Sequence, residues 1–397
     1  MKWLFLAYLI VNPLAYKIGV DLRSFQEWFY QLSSMIIIFA GLFINNKPIK
    51  LSLMNIVLSV FGLWMWCLYL MYNQGLHIFL NFFYGFCVYL TVIRTLNKKD
   101  IEFVLRGIIG VGIFTAFYLL LQMNGFDMRG ATVLNSPNGA IPQCSIFALE
   151  AHMGMYLTIA LLAVLSFSWS WFLLLIPMVF SKSSAVMLAG CVCPLIYLWF
   201  KKRIFVWMLL IPLVLGGIGY VVFYDNPMGM QKSRLDMWVK AIHDIHRHPI
   251  GYGLDDFRSG ENSHSIHYFK RTFDNTTLRV IKRGDVWYAE RGVSRDIASQ
   301  LKAEGRNVFD FWDHPHNEYL WLWYETGYLG LIIFILLVYF VFIRFFTSKR
   351  SKETVSLFCM LIAFGIFSLT HFPLHVARIG HLLPVILGLF FISTEAE

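Results

Sequence analysis

Apolar runs close to twenty residues long, separated by short polar stretches, fill the chain up to Tyr224 and again from Tyr319 onward. A helix rises about 1.5 Å per residue, so about twenty residues cross roughly 30 Å of hydrocarbon. On that window, spans are predicted at 3–20, 25–44, 51–72, 76–96, 102–123, 140–165, 169–181, 184–200, 204–224, 319–343, 354–371 and 379–393. The segment 169–181 is too short to cross unaided, so 140–200 is expected to fold in part as broken or re-entrant helices. The polar interruption, Asp225 to Glu318, has its own pattern. Leu235, Trp238, Val239 and Ile242 recur at helical spacing, and His248-Pro249 with Gly251 and Gly253 ends that helix. A second helix is expected over about 286–303, with loop or short strand elsewhere. The fold class is thus an all-α polytopic membrane protein of about 12 transmembrane helices with one large, partly helical loop. Its expected domains are spans one to nine in 1–224, the loop in 225–318, and spans ten to twelve in 319–397.

Composition agrees: of 397 residues 58% are apolar and 14% charged, against roughly 45–50% and about 25% in soluble domains. No soluble core absorbs that excess. The net charge of +9 changes the picture only when it is split. The polar segment holds 14 basic and 14 acidic residues, so the whole excess lies on the apolar part. A nucleic-acid partner, which wants a basic folded surface, is not expected. Counted over alternate short loops, 14 basic residues face one side and five the other. The positive-inside rule then puts both termini in the cytoplasm and the polar segment outside. In a bacterium this is a multi-pass protein of the inner membrane, working on a face without nucleotide sugars. Lys2 and the apolar run to Tyr16 resemble a signal peptide but lack a small-x-small site, and are read as a retained first span. The six cysteines, including Cys191-x-Cys193, fall in or beside apolar stretches and read as packing residues.

Candidate chemistry concentrates at Asp313-His314-Pro315-His316-Asn317-Glu318, just before a span. A neutral imidazole suits proton removal near pH 7, although polar residues can also simply flank a helix end. Asn317 is suited to capping the helix that follows. Further on, Gly327-Tyr328-Leu329-Gly330 lies inside an otherwise apolar helix, and Glu325 just before it is a carboxylate at a depth where one needs a partner or a role. The second cluster is Ser233-Arg234-x3-Trp238, then Pro249-x-Gly251-x-Gly253. Arginine grips phosphate oxygens in a planar fork, while an arginine on an amphipathic helix is commonly a solvated face. His243-x2-His246-x-His248 and His264-x2-His267 have spacings zinc could use, but no carboxylate pair stands beside a span end. Glu150 and His152, within the sixth span, can be a satisfied interior pair or line a cavity, as a secondary transporter's would. A transporter commonly has two similar halves, and none is visible around residue 200.

Taken together, His316-Asn317-x9-Gly327-x2-Gly330, Ser233-Arg234-x3-Trp238 and Pro249-x-Gly251-x-Gly253 resemble the O-antigen ligase and polymerase superfamily of bacterial membrane glycosyltransferases. The likeness extends to Asn135-Ser136-Pro137-Asn138, Ser181-Lys182-Ser183 and Phe372-Pro373-Leu374, and covers about residue 129 to the C-terminus. Lys182 stands where the family commonly has arginine, which keeps the charge without the bidentate fork. The resemblance implies transfer of a glycan from undecaprenyl diphosphate to an acceptor hydroxyl at the periplasmic face. The acceptor is expected to be lipid A-core for a ligase, with a polymerase or a protein O-oligosaccharyltransferase as alternatives. It implies His316 as base or acceptor-orienting residue, and Arg234 and Lys182 on the diphosphate. His314, Asn317, Glu318, Glu325 and Trp238 would be in support, with no cofactor and no metal.

Overall fold

The computed structural model describes residues 1–14, 22–43, 48, 52–124, 150–167, 183–201, 238–239, 241–254, 268–270, 278–283, 286–291, 308–311, 317–369, 373–375 and 377–395. Its long elements are the helices Lys2–Leu14, Leu22–Phe43, Leu53–Tyr72, Leu76–Thr95, Lys98–Met123, Glu150–Val164, Ser184–Lys201, Glu318–Thr347, Lys352–Ser368 and Leu382–Thr394. Among the described residues, Leu53–Tyr72, Leu76–Thr95, Lys98–Gln122 and Glu318–Thr347 are long and apolar enough to cross a membrane, and four shorter apolar helices accompany them. The described residues therefore carry four such spans rather than the twelve expected, and the segments 169–181 and 204–224 lie outside them. Large apolar side chains cover the outside. Along Leu22–Phe43, Trp28, Leu32, Met35, Phe39 and Phe43 form one exposed stripe, while Tyr30, Ser34 and Ile37 are buried. Such a stripe in water would be a patch needing a cover; lipid is that cover, and the chain is a membrane protein.

Two compact units make up the chain. The first comprises Met1–Gly62, His77–Tyr220 and Ile333–Glu397. In it Phe345 stacks on Phe358 with centroids 3.8 Å apart, and Ser356 Oγ donates to the Leu162 carbonyl at 2.5 Å. Where hydrocarbon gives helices no hydrophobic reason to associate, close backbone approach and polar contacts hold them. A Cβ on Gly112 would meet Ala160, and Tyr89 Oη donates to Asn55 Oδ1 at 2.9 Å. Arg344 answers the cost of a charge in a span by donating to Thr394 Oγ1 at 2.6 Å and the Phe391 carbonyl at 3.2 Å, over the Phe391 ring. It thereby satisfies the carbonyl end of the last helix.

The second unit comprises Leu63–Leu76 and Val221–Ile332. Here the polar segment departs from the all-α expectation. It carries a four-stranded sheet of β1 (Tyr268–Lys270), β2 (Leu278–Arg283), β3 (Val286–Arg291) and β4 (Val308–Phe311), in the order β1-β4-β3-β2. The helix expected from 286 is a strand as far as Arg291. Val286-Trp287-Tyr288 favours a pleated surface, and only Gly284-Asp285 separates it from β2, a composition suited to a tight hairpin. The antiparallel register runs from Leu278 opposite Arg291 to Arg283 opposite Val286. β3 and β4 are parallel.

Candidate functional site

Two motif pieces distant in sequence meet in the second unit. One is a half-helix. Asn317 opens it: its carbonyl accepts from Trp321 N at 3.0 Å and its side-chain Oδ1 from Leu320 N at 3.1 Å. This is an N-cap, satisfying an amide that has no partner inside the helix. Gly327 closes it with φ 66° and ψ −167°, a region essentially reserved for glycine. The nine residues between cap and break give the motif its spacing, a rod about 13 Å long.

The other piece is the helix over 241–247 and the loop that follows. That helix buries Ala241 and Ile245, and ahead of it Trp238 is half-buried and Val239 exposed. Gly251 and Gly253 then take φ 96° and 94°. Breaking a helix strands its polar groups, and in a dry setting each needs a new partner. The loop supplies them. Tyr252 N donates to the Tyr324 carbonyl at 3.0 Å, Gly253 N to Glu325 O at 3.2 Å, and Tyr328 N donates back to Pro249 O at 2.9 Å. The glycines are required by this approach: a Cβ on Gly251 would strike the Glu325 carbonyl and lie 2.6 Å from Gly327 N. Tyr252 also stacks on the fully buried Tyr324 at 4.5 Å, and His248 lies 4.2 Å from Tyr252.

The carboxylate of Glu325 is 2% exposed and accepts from the Trp321 indole one turn earlier. That is a partner of the kind its burial demands. Glu318 is buried in the first turn, and His152 is buried in the helix Glu150–Val164. His314, His316, Arg234 and Lys182 lie outside the described residues. Along the chain, however, His316 directly precedes the cap and Arg234 stands four residues before Trp238. The zinc-like spacing of His243, His246 and His248 is spent otherwise. His246 Nδ1 meets Tyr328 Oη at 2.6 Å, His248 lies against Tyr252, and His243 Nδ1 is 3.7 Å from Asp244. Among the described residues there is no group of three or more metal-capable side chains; His264 and His267 lie outside them.

Sequence reasoning missed a third wall, from the segment 63–76. Trp64 Nε1 donates to Thr326 O at 2.9 Å, Tyr72 Oη to Gly251 O at 2.8 Å, and Gln74 Nε2 to Tyr252 O at 3.3 Å. The only sequence signal is the polar turn Asn73-Gln74-Gly75 after an apolar run, where Asn73 and Gly75 take φ 51° and 73°.

Asn317→Ala is expected to lower stability by about 1 kcal/mol through loss of the cap, with Asn317→Ser retaining most of it. Thermal unfolding in detergent checks this, and equal melting of the wild type and the alanine variant would contradict the capping role.

Residues 144–335 match the family model described as O-antigen ligase. Both pieces of the broken-helix site fall inside that stretch, and the segment 63–76 falls outside it. No curated protein matches the chain.

Proposed function

We propose that this chain belongs to the O-antigen ligase and polymerase superfamily, whose ligase model residues 144–335 match, and that it moves a glycan from a polyprenyl diphosphate to an acceptor hydroxyl at the periplasmic face of the inner membrane. The polyprenyl group is undecaprenyl in this reading, and the acceptor is lipid A-core. The observation that carries it is the docking of the broken helix, through Tyr324, Glu325 and Tyr328, onto the Pro249–Gly253 loop by three backbone hydrogen bonds. Two short motifs, each weak alone, thereby become one site within the matched stretch.

The chemistry follows from what the reaction requires. The acceptor oxygen bonds to the anomeric carbon as the bond from that carbon to the diphosphate oxygen breaks. The hydroxyl proton passes to a base, assigned to His316, and the electron pair leaves with the diphosphate. Charge growing on the leaving group calls for fixed cations, assigned to Arg234 and Lys182. In this reading Asn317 fixes the helix end next to His316, while the Trp321–Glu325 pair stiffens the half-helix behind it. The late position of the single large polar segment favours the ligase among the members of the superfamily.

The test is a reconstituted reaction of polyprenyl-diphosphate glycan with lipid A-core, with further donor, or with a hydroxyl-bearing peptide as acceptor, read by mass spectrometry. Glycan on lipid A-core is expected, and it is expected to persist in excess chelator. A longer lipid-linked chain would make the protein a polymerase, and glycosylated peptide a protein oligosaccharyltransferase. A strict need for added divalent cation would overturn the metal-free mechanism.

A further inference from the structure

At the break at Gly327, the carbonyls of Tyr324, Glu325 and Thr326 and the amide of Tyr328 bond to partners outside the helix. Backbone groups of the Pro249–Gly253 loop take up all but one of these. The exception is the Thr326 carbonyl, whose donor is the indole of Trp64 at 2.9 Å. The loop has the same difficulty in its own chain, because its glycines hold it out of any regular ladder. Its Gly251 and Tyr252 carbonyls are satisfied by Tyr72 Oη and Gln74 Nε2. Packing locks these donors in place. A Cβ on Gly253 would lie 2.7 Å from the Tyr72 ring, and one on Gly75 would strike Leu254. All three donors therefore converge on one joint from a segment about 180 to 260 residues earlier in the chain. That segment lies outside the stretch that matches the family.

We propose that Trp64, Tyr72 and Gln74 are positioning residues, closing the hydrogen-bond account of the joint between the broken helix and the Pro249–Gly253 loop and thereby fixing the helix that His316 precedes in sequence and the loop that follows Arg234 in sequence. The proposal rests on the glycosyltransferase reading only for its kinetic consequence. The energetic logic is local: a buried carbonyl left without its donor costs more than the bond was worth, so the joint opens or shifts to find another partner. A misplacement of that size at the far end of a nine-residue helix degrades the orientation of a base more than it degrades substrate capture.

The test uses the full chain in lipid nanodiscs, with Tyr72→Phe, which keeps the ring and removes only the donor, Trp64→Phe, which keeps an aromatic ring while removing the indole N–H, and their double variant. Amide exchange at Tyr252, Gly253 and Tyr328, measured against amides of Lys352–Ser368 as reference, is expected to speed up in the variants. The double variant is expected to lose about tenfold in kcat, with the donor KM within about twofold. Unchanged exchange at those three amides overturns the proposal whatever the activity. So does a drop in folded protein with kcat per folded molecule unchanged, since that describes support of the fold alone. A wild type that transfers no glycan overturns the glycosyltransferase reading instead, and exchange then decides the joint by itself.

Discussion

His316→Ala is expected to lower glycan transfer by about 10²- to 10⁴-fold, the range a positioned general base contributes, while the protein stays in the membrane at normal abundance. The donor KM should change little, because in the proposed mechanism the imidazole acts on the acceptor proton rather than on the diphosphate. Arg234→Ala should also abolish turnover for a different reason: loss of charge stabilisation on the leaving diphosphate. Arg234→Lys should recover part of it, since the charge returns without the planar fork. The comparison separates the two roles, for His316→Gln has no equivalent way to accept the proton. Transfer at the wild-type rate by both alanine variants would remove the mechanism.

Gly327→Ala is expected to be as damaging, by a route that never touches substrate. At φ 66° and ψ −167° a side chain is strained, at about 1–3 kcal/mol. Here a Cβ would also be driven into the Ile250 carbonyl and Pro249 O. Neither is the end of a flexible side chain that can swing away, so the joint must separate. Release of Tyr328 N from Pro249 and of Tyr252 N from Tyr324 would follow. Gly110→Ala is the control, because a Cβ there meets nothing within 4 Å and alanine favours the helix by about 1 kcal/mol. Melting temperature and transfer rate should fall together in Gly327→Ala and hold in Gly110→Ala. A Gly327→Ala protein that melts and transfers like the wild type would show that the break does not matter.

The helices were legible in the sequence, whereas at the break only its residues, not the break itself, stood out. Hydrophobic runs announce helices because lipid admits few other backbones. The predicted 51–72 and 76–96 accordingly lie almost on Leu53–Tyr72 and Leu76–Thr95. Gly327 and Glu325 were conspicuous because each is out of place in an apolar helix, and both lie at the joint. The strand Val286–Arg291 was misread because no window of the polar segment has a clean period, leaving propensity to decide. Trp64, Tyr72 and Gln74 were invisible for a further reason. They serve backbone carbonyls, which leave no mark on the sequence, and they reach across some 180 to 260 residues to do so.

The broken helix also sets a depth. As one rod, the thirty residues Glu318–Thr347 would measure about 45 Å, half again the thickness of the hydrocarbon layer. The stretch after the break, Tyr328 to Thr347, is about 30 Å by itself and needs no more lipid than one bilayer provides. Gly327 therefore marks off one bilayer's length of apolar helix, and the capped stretch before it is not needed to cross the hydrocarbon. A chain that moved this glycine one turn along the helix would change that apolar length by about 5 Å, and in the proposed reaction would shift His316 by as much against the lipid-borne donor.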